Sequence, residues 1–161
     1  GARQVAVTHN ASARYQCRWV DLTVTKNQRS PWLQDIQTLH IPVAHGEGRF
    51  MMNATTLKTL QDNNQIVLRY TKEGKPAQGE FPFNPNGSMD DIAGITDETG
   101  RILVLMPHPE RGMFTWQRDD YAILKDQARR FGAPLPDKAD GLALFENAAT
   151  YFGVNSLKKA V

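Results

Sequence analysis

Ile102-Leu103-Val104-Leu105-Met106-Pro107-His108-Pro109-Glu110-Arg111 is the stretch on which the reading of this chain turns. Five apolar residues bounded by turn formers predict a strand buried on both faces, the kind found inside a parallel α/β sheet. Open α/β sheets bind ligands beyond the carboxyl ends of their strands, which is where His108 and Glu110 fall. Each proline pushes its predecessor out of the helical region, so Met106 and His108 are expected to be extended. Residues two apart in an extended segment share a side. The carboxylate of Glu110 can therefore orient the imidazole of His108 and stabilise its protonated form, giving two thirds of a nucleophile-base-acid triad.

Composition bounds what surrounds that pair. A chain of 161 residues with 40% hydrophobic content supports one domain with a core. The 19 basic and 17 acidic residues nearly cancel, and no Lys/Arg cluster points toward nucleic acid. A single cysteine, Cys17, excludes an intrachain disulfide framework and fits a reducing compartment. No apolar run approaches membrane-spanning length and no signal pattern opens the chain, so a soluble, cytoplasmic protein is expected. The opening Gly1-Ala2-Arg3-Gln4 has no initiator Met and leads almost directly into strand-like sequence, which predicts a piece of something longer.

Moving outward, Gln4 to Val24 reads as β structure interrupted by an Asn10-Ala11-Ser12 turn. The apolar phase switches from Tyr15, Cys17 and Trp19 to Val20, Leu22 and Val24, predicting a bulge near Trp19. Ser30-Pro31 starts a helical turn over Trp32 to Ile36. Leu39 to Ala44 is a strand in which Pro42 argues for an edge position or an irregular start, with His40 packed or paired within it. His45-Gly46-Glu47-Gly48-Arg49-Phe50 follows, where two glycines around an acidic residue predict a tight turn open to close approach. Thr55 to Asp62 is a short helix behind a Thr cap, and Ile66 to Tyr70 is a strand. A polar Lys72 to Phe83 stretch, a hairpin or surface loop, leads to Asn84-Pro85-Asn86-Gly87-Ser88, dense in turn formers. Ile92 to Ile95 is a further strand and Tyr121 to Phe131 a charged helix. Asp140 caps a closing helix with Leu142, Phe145, Ala149 and Phe152 as its apolar stripe, ended by Gly153.

Three separated runs now coincide in order: Pro42-Val43-Ala44-His45-Gly46-Glu47-Gly48-Arg49, then Asn84-Pro85-Asn86-Gly87-Ser88, then Met106-Pro107-His108-Pro109-Glu110-Arg111. With the Asn10 to Trp19 segment they resemble the glutaminase component of phosphoribosylformylglycinamidine synthase, a class I (triad) glutamine amidotransferase. The resemblance implies an α/β fold: the carboxyl-terminal portion of a flavodoxin-like amidotransferase domain, with a mixed sheet and a terminal helix. Residues 1–161 are then one partial domain, with 113–139 a variable insertion. It implies His108 and Glu110 as the catalytic histidine and glutamate, and His45, Gly46, Glu47 and Gly48 as a lining of the glutamine pocket. Ammonia released from glutamine would pass to a synthetase component, on a separate chain or the same one, that uses ATP and Mg in purine synthesis. No metal or cofactor is implied in this chain itself.

One part of the family pattern is not found. The nucleophilic cysteine of such enzymes sits in a glycine-flanked elbow between a strand and a helix, whereas Cys17 lies between Gln16 and Arg18 in an alternating strand. There it is expected to be a small packed residue, the nucleophile then belonging to a missing amino-terminal segment of the domain. Two other readings compete. His45, Glu47, His108 and Glu110 could converge as two His-x-Glu pairs on zinc in a metal-dependent hydrolase, or the chain could be a non-catalytic, degenerate amidotransferase subunit.

Overall fold

The computed structural model describes residues 4–154. Strands β1 (Val5–His9), β2 (Gln16–Val24), β3 (Thr38–His45) and β4 (Glu47–Met52) precede helix α1 (Ala54–Asp62). Strands β5 (Ile66–Lys72), β6 (Lys75–Pro76), β7 (Ile92–Thr96) and β8 (Leu103–Leu105) then lead to helices α2 (Tyr121–Phe131) and α3 (Asp140–Tyr151). The larger sheet runs β3-β2-β5-β7-β8 with β6 as a short hairpin partner of β5, and β1 pairs with β4 in a separate ribbon. The α/β class and the terminal helix are those expected, and every strand pairing among the described residues is antiparallel.

Alternation builds the core. On β2 and β3 the cross-strand pairs Val20–Ile41 and Leu22–Leu39 are buried together, while Trp19–Pro42 and Asp21–His40 share the other face. Central strand β5 adds Val67, Leu68 and Tyr70 to the same cluster, and Leu103 and Leu105 of β8 pack against it. Each fully buried aliphatic side chain there contributes about 1.5–3 kcal/mol relative to exposure. Phe50, Leu60, Ile66 and Ile92 form a second cluster beneath α1. The larger sheet is curled: the chain leaving β8 at one edge reaches β3 at the other, where the His108 amide donates to the Pro42 carbonyl at 2.7 Å. An edge strand tolerates Pro42 because no partner needs its missing N–H.

Several local expectations are corrected. The Ile102–Met106 strand is not buried on both faces, since it is a short edge strand with Ile102 64% and Val104 44% exposed. Five consecutive apolar residues do not reveal which face is covered. No bulge breaks β2: its pairing with β3 is continuous, and Gln16, Arg18, Val20, Leu22 and Val24 share the inward face. The apparent change of phase arose because polar Gln16 and Arg18 point inward and apolar Trp19 outward. Cys17 is therefore exposed rather than packed. The tight turn expected over His45–Phe50 is reduced to a bend at Gly46, through which β3 passes directly into β4, which pairs with β1.

The helix caps also differ. Asn53 Oδ1 accepts from the Thr56 amide at 2.7 Å, so Asn53 rather than Thr55 caps α1. Asp140 opens α3, and its carboxylate accepts from the His40 amide at 2.7 Å instead of capping its own helix. That helix buries Gly141 and Leu144, not the Leu142-Phe145-Ala149-Phe152 stripe, of which Phe152 is 71% exposed. Gly132 ends α2 in the left-handed conformation. Among the described residues no helix is long and apolar enough to cross a membrane.

Candidate active site

The turn leaving β8 carries His108 and Glu110. Pro109 opens a 3-10 turn over Pro109–Arg111, closed by bonds from the Arg111 amide to the His108 carbonyl and from the Gly112 amide to the Pro109 carbonyl. The turn delivers the pair expected: His108 Nδ1 lies 2.7 Å from Glu110 Oε1. A carboxylate can only accept, so Nδ1 carries the proton and the neutral imidazole presents Nε2 as a base. Once Nε2 takes a proton, the same carboxylate stabilises the imidazolium. Both side chains remain partly exposed, at 31% and 51%. Arg111 also lies near that carboxylate, with Nε 3.8 Å from the shared Oε1.

Two contacts hold the turn in place. The His108–Pro42 bond fixes one end to β3, and Gly141 at the start of α3 fixes the other by donating its amide to the Gly112 carbonyl at 2.9 Å. A Cβ on Gly141 would lie 2.7 Å from Gly112 O and closer still to Pro109 O, so only glycine permits this approach.

A buried polar layer lies at the end of β3. Asn10 gives its amide N–H groups to the Arg14 and His45 carbonyls, both at 2.8 Å, and its Oδ1 lies 3.1 Å from His45 Nδ1. With its donors spent, Asn10 can only accept at Oδ1, so His45 carries its proton on Nδ1 and leaves Nε2 a lone pair. That Nε2 is buried without a partner among the described residues. Burial lowers the His45 pKa from the ordinary imidazole value; a backbone hydrogen bond opposes this and the charge of His108 adds to it. The ring lies over Gly48, whose hypothetical Cβ would sit 2.6 Å from Nδ1. Behind Gly48, Asn86 Nδ2 donates to the Gly48 carbonyl at 2.7 Å, and Ser88 Oγ accepts from the Phe50 amide at 3.0 Å. Asn84 holds this turn by accepting from the Gly87 and Ser88 amides. The Asn10, His45–Phe50 and Asn84–Ser88 runs thus form one scaffold, which β3 joins to the His108 turn through Pro42.

This ordered scaffold is shared. Residues 1–152 match the model of the CobB/CobQ-like glutamine amidotransferase domain. The chain belongs to that family. The phosphoribosylformylglycinamidine synthase subunit PurQ of Methanococcus maripaludis is 44% identical over 154 residues, covering 94% of this chain and 56% of the relative. The same subunit of Dehalococcoides mccartyi is 37% identical over 150 residues, covering 92% and 53%. The solved PurLQS structure from Thermotoga maritima superposes with a TM-score of 0.61 at 28% identity over 94% of this chain and 55% of that one. The amidotransferase chain described here therefore spans about half the length of the relatives it matches.

Within the amidotransferase fold the expected residues divide. His108 and Glu110 are hydrogen-bonded; His45 and Gly48 are in contact; Gly46 forms the corner and receives the Asn10 amide at its carbonyl. Glu47 instead turns outward, its Oε1 3.2 Å from His9 Nδ1 across the β1–β4 ribbon. The two His-x-Glu pairs do not gather into one ligand set: among the described residues only His40, Asp119 and Asp120 bring three such groups within ligand distance. The sequence reading overlooked Asn10, Asp140 and Gly141, each of which acts through a backbone contact with a residue far along the chain. Only the family order of runs around Asn10 hinted at one of them.

Proposed function

We propose that this chain supplies the base and the carboxylate of a Cys-His-Glu glutaminase, and that the released ammonia serves phosphoribosylformylglycinamidine synthase in purine synthesis. The observation that carries it is the 2.7 Å contact between His108 Nδ1 and Glu110 Oε1 on a turn held from both sides. His108 Nε2 takes the thiol proton as a cysteine attacks the side-chain amide of glutamine, then returns it to the departing nitrogen as ammonia leaves. Water, deprotonated by the same nitrogen, hydrolyses the thioester to glutamate. Glu110 holds the tautomer and the imidazolium through both half-reactions.

The nucleophile is assigned to sequence outside these residues. Cys17 is exposed on β2, paired with Ala44, and has no imidazole among its hydrogen-bond partners in the described structure. His45, Gly46 and Gly48, with Asn10 behind them, form the wall of the glutamine pocket; Glu47 belongs at its rim. A synthetase component, separate or fused, receives the ammonia and uses ATP and Mg. The relatives' name, subunit of that synthase, supports this assignment.

The test is covalent labelling of the full-length protein by an electrophilic glutamine analogue, followed by peptide mapping. Glutamine-protected labelling of a cysteine outside residues 1–161, slowed in a His108→Asn variant, is expected. Protected labelling of Cys17 would sink the assignment of the nucleophile, and no labelling of any cysteine would sink the glutaminase reading.

A further inference from the structure

His40 lies on the face of β3 opposite the core and is engaged at both ring nitrogens and on a ring face. Its Nδ1 is 2.7 Å from Asp21 Oδ1, on the directly opposed residue of β2, and its Nε2 is 3.0 Å from Asp119 Oδ1 in the segment leading to α2. Ionised carboxylate oxygens only accept, and a neutral imidazole has a single N–H. Both contacts are hydrogen bonds only if the ring is an imidazolium. The Trp19 indole stacks on that ring at 5.1 Å and 23°, an arrangement that favours a cation over the aromatic face. Burial opposes the charge, but the hydrogen bonds that the ring donates to Asp119 and Asp21 outweigh it and raise the His40 pKa. The other charged groups around it are Asp140, which accepts from the His40 amide, and Asp120, which is held by the Arg118 fork. Arg118 is the cation that works against protonation.

These contacts converge on the turn that carries His108. Trp19, held by His40, is also the surface on which Gly112 rests: a Cβ there would lie 3.3 Å from the indole and from Ile41. Asp140, bonded to the His40 amide, begins the helix whose Gly141 grips the Gly112 carbonyl. Asp119 anchors the chain only a few residues beyond the turn.

We propose that His40 is a positioning residue, an imidazolium bridge from Asp21 to Asp119 that clamps the 113–120 segment to the sheet and thereby fixes the His108–Glu110 turn. That the turn is catalytic rests on the function proposed above; the clamp does not. As pH rises through the His40 titration, one of the two bonds is lost and the turn loosens.

The experiment is a histidine titration by NMR with amide exchange on the full-length protein, comparing wild type with Asp119→Asn, which alters one exposed carboxylate. His40 is expected to stay protonated above the ordinary imidazole range, with its midpoint moved down in Asp119→Asn. Exchange at the His108, Gly112 and Tyr121 amides, corrected for intrinsic base catalysis, should rise about tenfold across that midpoint and follow it in the variant. A His40 midpoint unmoved by Asp119→Asn overturns the bridge. Exchange at His108 and Gly112 that ignores the His40 titration overturns the positioning role. Both readouts are independent of glutamine turnover, so an inactive protein would overturn the proposed function and leave the clamp to be decided by them.

Discussion

The backbone amide of His108 donates to the carbonyl oxygen of Pro42 at 2.7 Å, across the gap between the two edges of the curled sheet. Pro42 contributes no amide hydrogen of its own, so β3 cannot continue a regular ladder there, yet its carbonyl remains free to accept. That single bond ties the turn bearing His108 to the strand that ends at His45. The candidate base and the candidate pocket wall are thus set relative to one another by main chain, which side-chain substitutions do not easily disturb.

Replacing Glu110 by Gln tests the pair directly. The amide can still contact Nδ1, but it cannot stabilise an imidazolium and can stabilise the wrong tautomer by donating to the ring. Glutamine turnover by the full-length protein is expected to fall about 10²- to 10⁴-fold, mainly in kcat. Steady-state kinetics, with circular dichroism to confirm the fold, measures it; a loss below about threefold would remove Glu110 from the triad.

Gly48→Ala tests the pocket wall. Its Cβ would meet the His45 ring within 2.6 Å of Nδ1, and the ring cannot retreat without breaking its contact with Asn10. The variant should lose about 1–3 kcal/mol of stability and raise the KM for glutamine more than it lowers kcat. Denaturant unfolding and kinetics together check this; unchanged KM would place His45 outside the pocket.

Much of this was legible in the sequence, and the failures share a cause. The His108–Glu110 contact was legible because it lies within three residues, although it is made across a 3-10 turn over Pro109–Arg111 and not along the extended segment that alternation predicted. The strands over β2, β3, β5 and β7 followed from local pattern. What failed depended on which surface covers which face: Ile102 to Met106 reads as buried although it lies at an edge, and Gln16 and Arg18 point inward against their polarity. Gly141 and Asp140 were invisible as site residues because their partners, Gly112 and His40, lie far away along the chain. Single-sequence periodicity carries no information about such pairings.

The buried histidine sets an acid limit. His45 has a folded-state pKa below its unfolded value, so at pH between the two the unfolded chain binds more protons. Stability should therefore fall as pH drops below the ordinary imidazole value. His40 has the opposite sign: its contribution is complete below the unfolded value and is lost as pH rises through the raised folded one. Unfolding free energies across that range should show His45→Gln flattening the acid side while Asp119→Asn alters the alkaline side; the same flank changing in both variants would contradict the assignment.

Gly141→Ala separates the support of the turn from its chemistry. Gly141 touches no reacting group in the proposed mechanism, yet its added Cβ would meet the carbonyl oxygens of Pro109 and Gly112, neither of which can yield while the 3-10 turn is intact. The helix must lift, and its amide bond to Gly112 is lost with it. Such a displacement moves His108 relative to any thiol poised against it, and misplacement of about 1 Å costs about 10²-fold in rate. Turnover should therefore drop by about that factor, while the His108 Nδ1 proton still reports its bond to Glu110 by NMR, because that contact is internal to the turn. An Ala variant with full activity would show that α3 covers the turn without positioning it.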